Sequence, residues 1–252
     1  MRIALLQTDI RWKDVTANVE AARKLMEEHP ADLYVLPEMW ATGFDTAPDA
    51  ATAAASAEAL AWMHAEARGR NCCVAGSLAA PVDGGFRNRF YFVHPDGRCD
   101  FYDKRHLFGY GGEPAHYVPG RRRTVVCAGG LRLLLLTCYD LRFPVFSRNR
   151  GDYDVALYVA SWPASRRAAW DVLLRARAIE NQCYVCGVNR TGEDPVCRYD
   201  GGSAAIDAYG RTVADLGCGH GARVFEPDLE ALRRFRAKFP VLADADAFDM
   251  DF

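Results

Sequence analysis

Two rhythms of apolar and polar residues run along this chain. Short apolar runs closed by turn residues read as strands at Ile3–Gln7, Leu33–Leu36, Cys72–Leu78, Arg89–Val93, Leu131–Thr137, Val155–Ala160, Tyr184–Val188, Ser203–Ile206 and Val213–Leu216. Longer amphipathic stretches read as helices over Thr16–Glu28, Ala53–Arg68, Arg166–Gln182 and Asp228–Lys238, with the alanine-rich segment 50–57 as a loop entering the second. In the third helix Ala169, Leu173, Ala176 and Ile179 recur at three- and four-residue steps and form one stripe to lay on a sheet. Strands alone would suggest an all-β sandwich; the interleaved helices predict an α/β fold. Asp83-Gly-Gly85, Pro95-Asp-Gly97 and Ala208-Tyr-Gly210 are turns between neighbouring strands, and none is long enough for a linker. Residues 1–252 are therefore expected to form a single domain.

Three strand ends carry chemistry. Leu133-Leu-Leu-Leu-Thr-Cys-Tyr-Asp-Leu-Arg-Phe-Pro144 ends an apolar run on Cys138, where a turn could hold the sulfur at a pocket mouth and aim the Tyr139 backbone N–H at an oxyanion. Free cysteine is also among the most buried residue types, so a structural thiol competes with a nucleophile on this segment alone. Asp32-Leu-Tyr-Val-Leu-Pro-Glu-Met39 delivers Glu38 directly after a proline, and Phe101-Tyr-Asp-Lys-Arg-His-Leu-Phe108 delivers Lys104. A carboxylate base to take the proton of a thiol of pKa ~8.5, with a lysine to stabilise negative charge, would make an acyl-transfer site. The glycines of Gly109-Tyr-Gly-Gly-Glu-Pro-Ala-His-Tyr117 allow a tight loop that brings Glu113 beside Lys104.

Composition narrows the classes. The chain is 50% hydrophobic and 25% charged with a net charge of −2, so nothing asks for a polyanion, and Arg121-Arg-Arg123 reads as a solvated loop rather than a nucleic-acid patch. The N-terminal apolar run is too short for a signal peptide, and no run approaches the ~18 residues a spanning helix needs. No membrane partner and a cytoplasmic location are expected. The nine cysteines include Cys72, Cys73, Cys183 and Cys186 in apolar strands, which fits free thiols in a reducing compartment. Cys183-Tyr-Val-Cys186 has metal or redox spacing, but residues three apart in a strand face opposite ways and no second ligand pair follows. Gly109-Tyr-Gly-Gly112 and Gly217-Cys-Gly-His-Gly221 match neither a Walker lysine nor a dinucleotide fingerprint. No metal and no cofactor are implied. A papain-like pairing of Cys138 with His106 or His116 would need the context Cys-Gly-Ser-Cys-Trp, which is absent.

In order along the chain, Leu36-Pro-Glu-Met39 with Ala41-Thr-Gly-Phe44, Tyr102-Asp-Lys-Arg-His-Leu-Phe108, Cys138-Tyr-Asp-Leu-Arg-Phe-Pro144, Ala160-Ser-Trp-Pro163, Arg175-Ala-Arg-Ala-Ile-Glu-Asn-Gln182 and Gly202-Ser-Ala-Ala-Ile-Asp207 form a set. That set resembles the nitrilase, or carbon-nitrogen hydrolase, superfamily, and within it the bacterial omega-amidases. The resemblance implies a four-layer α-β-β-α sandwich, commonly paired as a homodimer. It implies catalytic roles for Glu38, Lys104 and Cys138, a supporting role for Glu113, and substrate contacts from Arg142, Trp162 and Phe44. The implied reaction releases ammonia from a small-molecule amide, a short dicarboxylic monoamide such as 2-oxoglutaramate or 2-oxosuccinamate, through a cysteine thioester. An amidohydrolase for N-carbamoyl compounds shares these motifs. A non-catalytic nitrilase-like binding protein and a redox-sensing thiol protein are the rivals from other classes.

Overall fold

The computed structural model describes residues 1–249. Two six-stranded sheets lie face to face, each built around three parallel strands. The first contains β1 (Ile3–Gln7), β2 (Leu33–Val35), β3 (Cys73–Val82), β4 (Gly85–Val93) and β5 (Cys99–Asp103); the second contains β6 (Val125–Ala128), β7 (Leu131–Thr137), β8 (Val155–Ala160) and β9 (Tyr184–Asn189). A short hairpin follows, β10 (Thr191–Glu193) with β11 (Arg198–Asp200), before β12 (Ala204–Ile206) and β13 (Thr212–Asp215) complete the second sheet. The chain then crosses back. β14 (Gly221–Phe225) pairs antiparallel with β1, giving the orders β14-β1-β2-β3-β4-β5 and β13-β12-β9-β8-β7-β6.

Alternation along the strands decides which layer each side chain joins. Ile3, Leu5, Leu33 and Val35 point between the sheets, where they meet Leu133, Leu135, Val155 and Leu157. Their neighbours Ala4, Leu6 and Tyr34 point outward onto α1 (Val15–Glu28) and α2 (Ala50–Arg70), through Ala22, Leu25, Ala59 and Met63. On the other side α4 (Arg167–Glu180) covers the second sheet, with the short α3 (Pro144–Ser147) before it and α5 (Leu229–Lys238) after it. A Cβ on Gly187 would lie 2.5 Å from Leu174 and 2.7 Å from Trp170, so only glycine lets α4 settle this close to β9.

Three expectations change. The segment 50–57 is helix from its first residue, because Asp49 caps α2 by accepting the Thr52 N–H at 2.9 Å. In α4 the buried face is Trp170, Leu174, Arg177 and Ala178, one position round from the expected stripe, and Ile179 is 49% exposed. Arg177 can face inward because its guanidinium donates to the Leu141 carbonyl at 2.7 Å and pairs with Glu180. Finally, β5, β10, β11 and β14 lack a clear apolar run, and that of β6, Val125-Val-Cys-Ala128, is only four residues long. They lie at sheet edges or in the small hairpin, where half of each strand faces water.

Candidate active site

The parallel strands set the site, since ligands in open α/β sheets gather at their carboxyl ends. β2 ends at Val35 and delivers Glu38; β7 ends at Thr137 and delivers Cys138; β8 ends at Ala160 and delivers Ser161. Lys104 follows β5, and Glu113 opens the 3-10 turn Glu113–Ala115. These residues come from both sheets, and they converge at one end of the sandwich.

Glu38, Lys104 and Glu113 form a fully buried cluster. Lys104 Nζ donates to Glu38 Oε1 at 2.8 Å and to the two oxygens of Glu113 at 2.9 and 3.2 Å. Asn88 Nδ2 donates to Glu38 Oε1 at 2.7 Å and to Glu113 Oε1 at 3.1 Å, while the Phe108 N–H also donates to Glu113. Glu38 Oε2 accepts the Ser161 N–H at 2.8 Å. Burial opposes the charge on Lys104, yet Glu113 and Glu38 outweigh it and hold its pKa above the ordinary lysine value. Glu113 is shifted upward by burial, with the nearby Glu38 charge adding to the effect and Lys104 opposing it.

Cys138 opens a 3-10 turn, Cys138–Arg142, at φ +46°, a region that residues with a Cβ seldom occupy; Met39, beside Glu38, has φ +48°. Asp140 pins that turn. It accepts the Thr137 N–H at 2.9 Å, the Tyr102 hydroxyl at 2.8 Å and the His106 N–H at 3.1 Å, and His106 Nδ1 lies 2.8 Å away. His106 is thus a partner of Asp140, stacked at 3.9 Å on Phe143. The Tyr139 N–H makes no backbone hydrogen bond among the described residues. Burial first, and then the Glu38 charge, push the Cys138 thiol well above its ordinary pKa, with Lys104 pulling the other way. A thiol in this setting is protonated at rest and reacts when a base removes its proton.

Cys138 opens into a pocket of about 220 Å³ whose wall includes Phe44, Phe108, Tyr139, Arg142, Trp162 and Arg166. Phe44 also lies 5.2 Å from Lys104 Nζ, and Arg142 lies 4.9 Å from the Trp162 ring. Of the residues singled out in the sequence, Glu38, Cys138, Tyr139, Arg142, Trp162 and Phe44 line this pocket, while Lys104 and Glu113 are buried behind Glu38 and do not line it. Asn88, Ser161 and Arg166 were not singled out. Ser161 sat within a matched motif without a role, and Asn88 is one polar residue on an edge-proximal strand with no spacing to mark it. Cys183 and Cys186 are both buried free thiols. The described residues contain no group of three or more His, Cys, Asp or Glu side chains arranged to hold a metal, and no helix among them is long and apolar enough to cross a membrane.

Comparison with known proteins follows the same lines. The carbon-nitrogen hydrolase family model matches residues 2–237. Omega-amidase YafV of Escherichia coli (strain K12) is 45% identical over 98% of both chains, and the 2-oxoglutaramate amidase of Bacillus subtilis (strain 168) is 34% identical over 96% of both. Among solved structures, the CN-hydrolase superfamily protein XC1258 of Xanthomonas campestris, with an arsenic adduct in its active site, superposes with a TM-score of 0.92 at 37% identity, covering 100% of this chain and 99% of that one. An amidase from Nesterenkonia sp. AN1, whose active-site cysteine has taken up acrylamide by Michael addition, gives 0.83 at 27% identity over 95% and 98%. With a strand-end thiol, a buried Glu-Lys-Glu cluster and matches that run nearly end to end, the chain belongs to the carbon-nitrogen hydrolase family.

Proposed function

We propose that this protein is an omega-amidase that hydrolyses the terminal amide of a short dicarboxylic monoamide, with 2-oxoglutaramate the first candidate. The observation that carries the reading is Glu38 held between Lys104, Asn88 and Ser161 beside the Cys138 thiol, both lining a small pocket. As Sγ attacks the amide carbon, Glu38 takes the thiol proton. Lys104, which donates to both oxygens of Glu113, turns one N–H with that of Tyr139 toward the developing oxyanion. Glu38 then gives its proton to the departing ammonia. Next it removes one from the water that attacks the thioester and passes it to the departing Cys138 sulfur, which restores the thiol and releases the acid. Glu113 keeps Lys104 in place throughout. The relatives named as omega-amidase and 2-oxoglutaramate amidase support the choice of substrate.

Ammonia release from 2-oxoglutaramate, an N-carbamoyl amino acid and butyramide tests the reading. 2-Oxoglutaramate should lead, and Cys138→Ser should lose nearly all turnover, because an alcohol is too weak an acid for a glutamate to activate. A faster N-carbamoyl substrate would move the protein to that branch of the family, and undiminished turnover in the serine variant would remove the thioester.

The reading includes one catalytic domain spanning the chain, acting in the cytoplasm, where nine free thiols are stable. It also includes a homodimer. Val172 and Ile179 are exposed one above the other on α4, a Cβ on Gly210 would touch Ile179, and beside that turn the Tyr209 ring lies 4.1 Å from that of Phe235, tilted to it, next to the exposed Phe239. Such an apolar patch suits a second copy of the chain. Sedimentation of Ile179→Glu should find monomers where the parent protein is dimeric.

A further inference from the structure

The pocket holds two guanidinium groups that no carboxylate claims. Arg142 rides on the turn that starts with Cys138, and Arg166 closes the 3-10 turn Ala164–Arg166. Neither forms an ion pair among the described residues, although Arg89, Arg123, Arg132 and Arg236 each hold an aspartate. The acids that line the same pocket are engaged elsewhere. Asp45 pairs with Lys13 at 2.7 Å and accepts the Thr52 hydroxyl, while Asp194 accepts the N–H groups of Val196 and Cys197 and the Tyr199 hydroxyl. Glu38 is held by Lys104.

Aromatic faces carry both cations. The Arg142 guanidinium lies 4.9 Å from the Trp162 centroid, and that of Arg166 lies 5.2 Å from the Phe108 centroid. Trp162 ties the two together, since its face supports Arg142 and its Nε1–H donates to the Arg166 carbonyl at 2.8 Å. The Arg166 N–H donates to the Pro163 carbonyl at 3.0 Å, so the backbone of this half-buried residue is fixed at both ends. A planar fork stacked on a ring presents its N–H edge to a carboxylate with little further loss of freedom. Two guanidinium groups with no carboxylate of the protein on them favour an amide that brings a carboxylate of its own over a neutral one.

We propose that Arg166 is a specificity-determining residue that, together with Arg142, clamps the free carboxylate and adjacent 2-oxo oxygen of the substrate. The assignment rests on the amidase reading for its substrate class. It makes an amide that carries a free carboxylate a better substrate than a neutral amide of similar length.

The test compares kcat/KM for 2-oxoglutaramate with that for butyramide in the parent protein, Arg166→Met, Arg166→Lys and the control Arg122→Met, an exposed cation outside the pocket. Arg166→Met should lower the ratio at least thirtyfold, mainly through KM for the anionic amide; Arg166→Lys should recover part of it, and Arg122→Met should leave it alone. A ratio that survives in Arg166→Met, or equal losses on both substrates with no recovery in Arg166→Lys, would make Arg166 a wall residue and overturn the proposal. A second arm avoids turnover. Calorimetric titration of 2-oxoglutaramate into Cys138→Ala protein should show at least tenfold weaker binding once Arg166→Met is added, and equal binding overturns the proposal. A parent protein that binds 2-oxoglutaramate but releases no ammonia would sink the amidase reading instead, leaving Arg166 to be judged by the titration.

Discussion

Glu38 is surrounded by donors, namely Lys104 Nζ, Asn88 Nδ2 and the Ser161 N–H. A glutamine must turn its own NH₂ against one of them, so Glu38→Gln is not a silent change of charge. We expect it to lower kcat/KM more than a hundredfold, about 3 kcal/mol, and to cost roughly a further 1–2 kcal/mol of stability by urea titration. Lys104→Met is harsher. It strands two carboxylates in a dry site, at a cost of about 3–5 kcal/mol, and pairing it with Glu113→Gln should restore part of the stability and none of the rate. A Lys104→Met protein as stable as its parent would mean that the cluster is not an ion triad. Thiol chemistry sorts the cysteines in a similar way. Cys127 and Cys218 are exposed, whereas the Cys138 thiol is held protonated. A bulky maleimide should therefore label Cys127 and Cys218 first, and acrylamide, shaped like a substrate, should be the reagent that prefers Cys138; mass spectrometry of tryptic peptides reads the order. At this scale Glu38 and Cys138 were legible because each follows an apolar run, whereas Lys104 and Glu113 came from the motif set and a glycine-rich loop. Asn88 was not legible, because its two bonds depend on residues 50 and 25 positions away.

At the scale of elements, the turn Cys138–Arg142 is strained at its first residue and tied down at its third. Asp140→Ala would orphan the Thr137 and His106 N–H groups and the Tyr102 hydroxyl together, and we expect a loss of about 3–5 kcal/mol on chemical denaturation together with most of the activity. The strain itself can be weighed. With φ at +46°, Cys138→Gly should be more stable than Cys138→Ala by about 1 kcal/mol, the reverse of the order expected inside a helix. An alanine variant at least as stable as the glycine one would mean that the backbone relaxes once the sulfur is gone. The central strands could be read from the chain because both their faces are buried and their apolar runs are continuous. Edge strands such as β5 and β14 could not, since hydrogen bonding to a neighbour rather than composition makes them strands. The face of α4 was misjudged by one position because Trp170 and the inward Arg177 find polar partners inside, the Gly202 and Leu141 carbonyls.

For the whole molecule, the two sheets are held by a shared apolar layer, and long-range polar ties fasten the outer helices to their sheets. Asp154 is one. It receives Arg132 and, across 82 residues, Arg236 of α5, which also donates to the Tyr153 and Gln182 carbonyls. Burial works to raise the Asp154 pKa, but Arg132 and Arg236 outweigh it and leave it below the ordinary aspartate value. A carboxylate depressed in the folded state contributes stability above its unfolded pKa of ~3.9 and loses it as pH falls through the lower folded value. Asp154→Asn should therefore cost roughly 1–2 kcal/mol at neutral pH and less and less below about pH 4, so that parent and variant converge in acid. A constant gap at every pH would show that shape rather than charge is what matters there. The four-layer arrangement followed from the motif set; the crossing of β14 back to β1 did not, because it depends on a pairing of residues more than 200 positions apart. That crossing means that neither half of the chain owns the reaction. A polypeptide cut among the exposed arginines at 121 and 122 would leave Glu38, Lys104 and Glu113 on one fragment and Cys138 and Ser161 on the other, with β14 on the second fragment as a built-in clasp for the first. Ammonia output from the two fragments expressed together would then count reassembled molecules, making this fold a split reporter whose signal is its own chemistry.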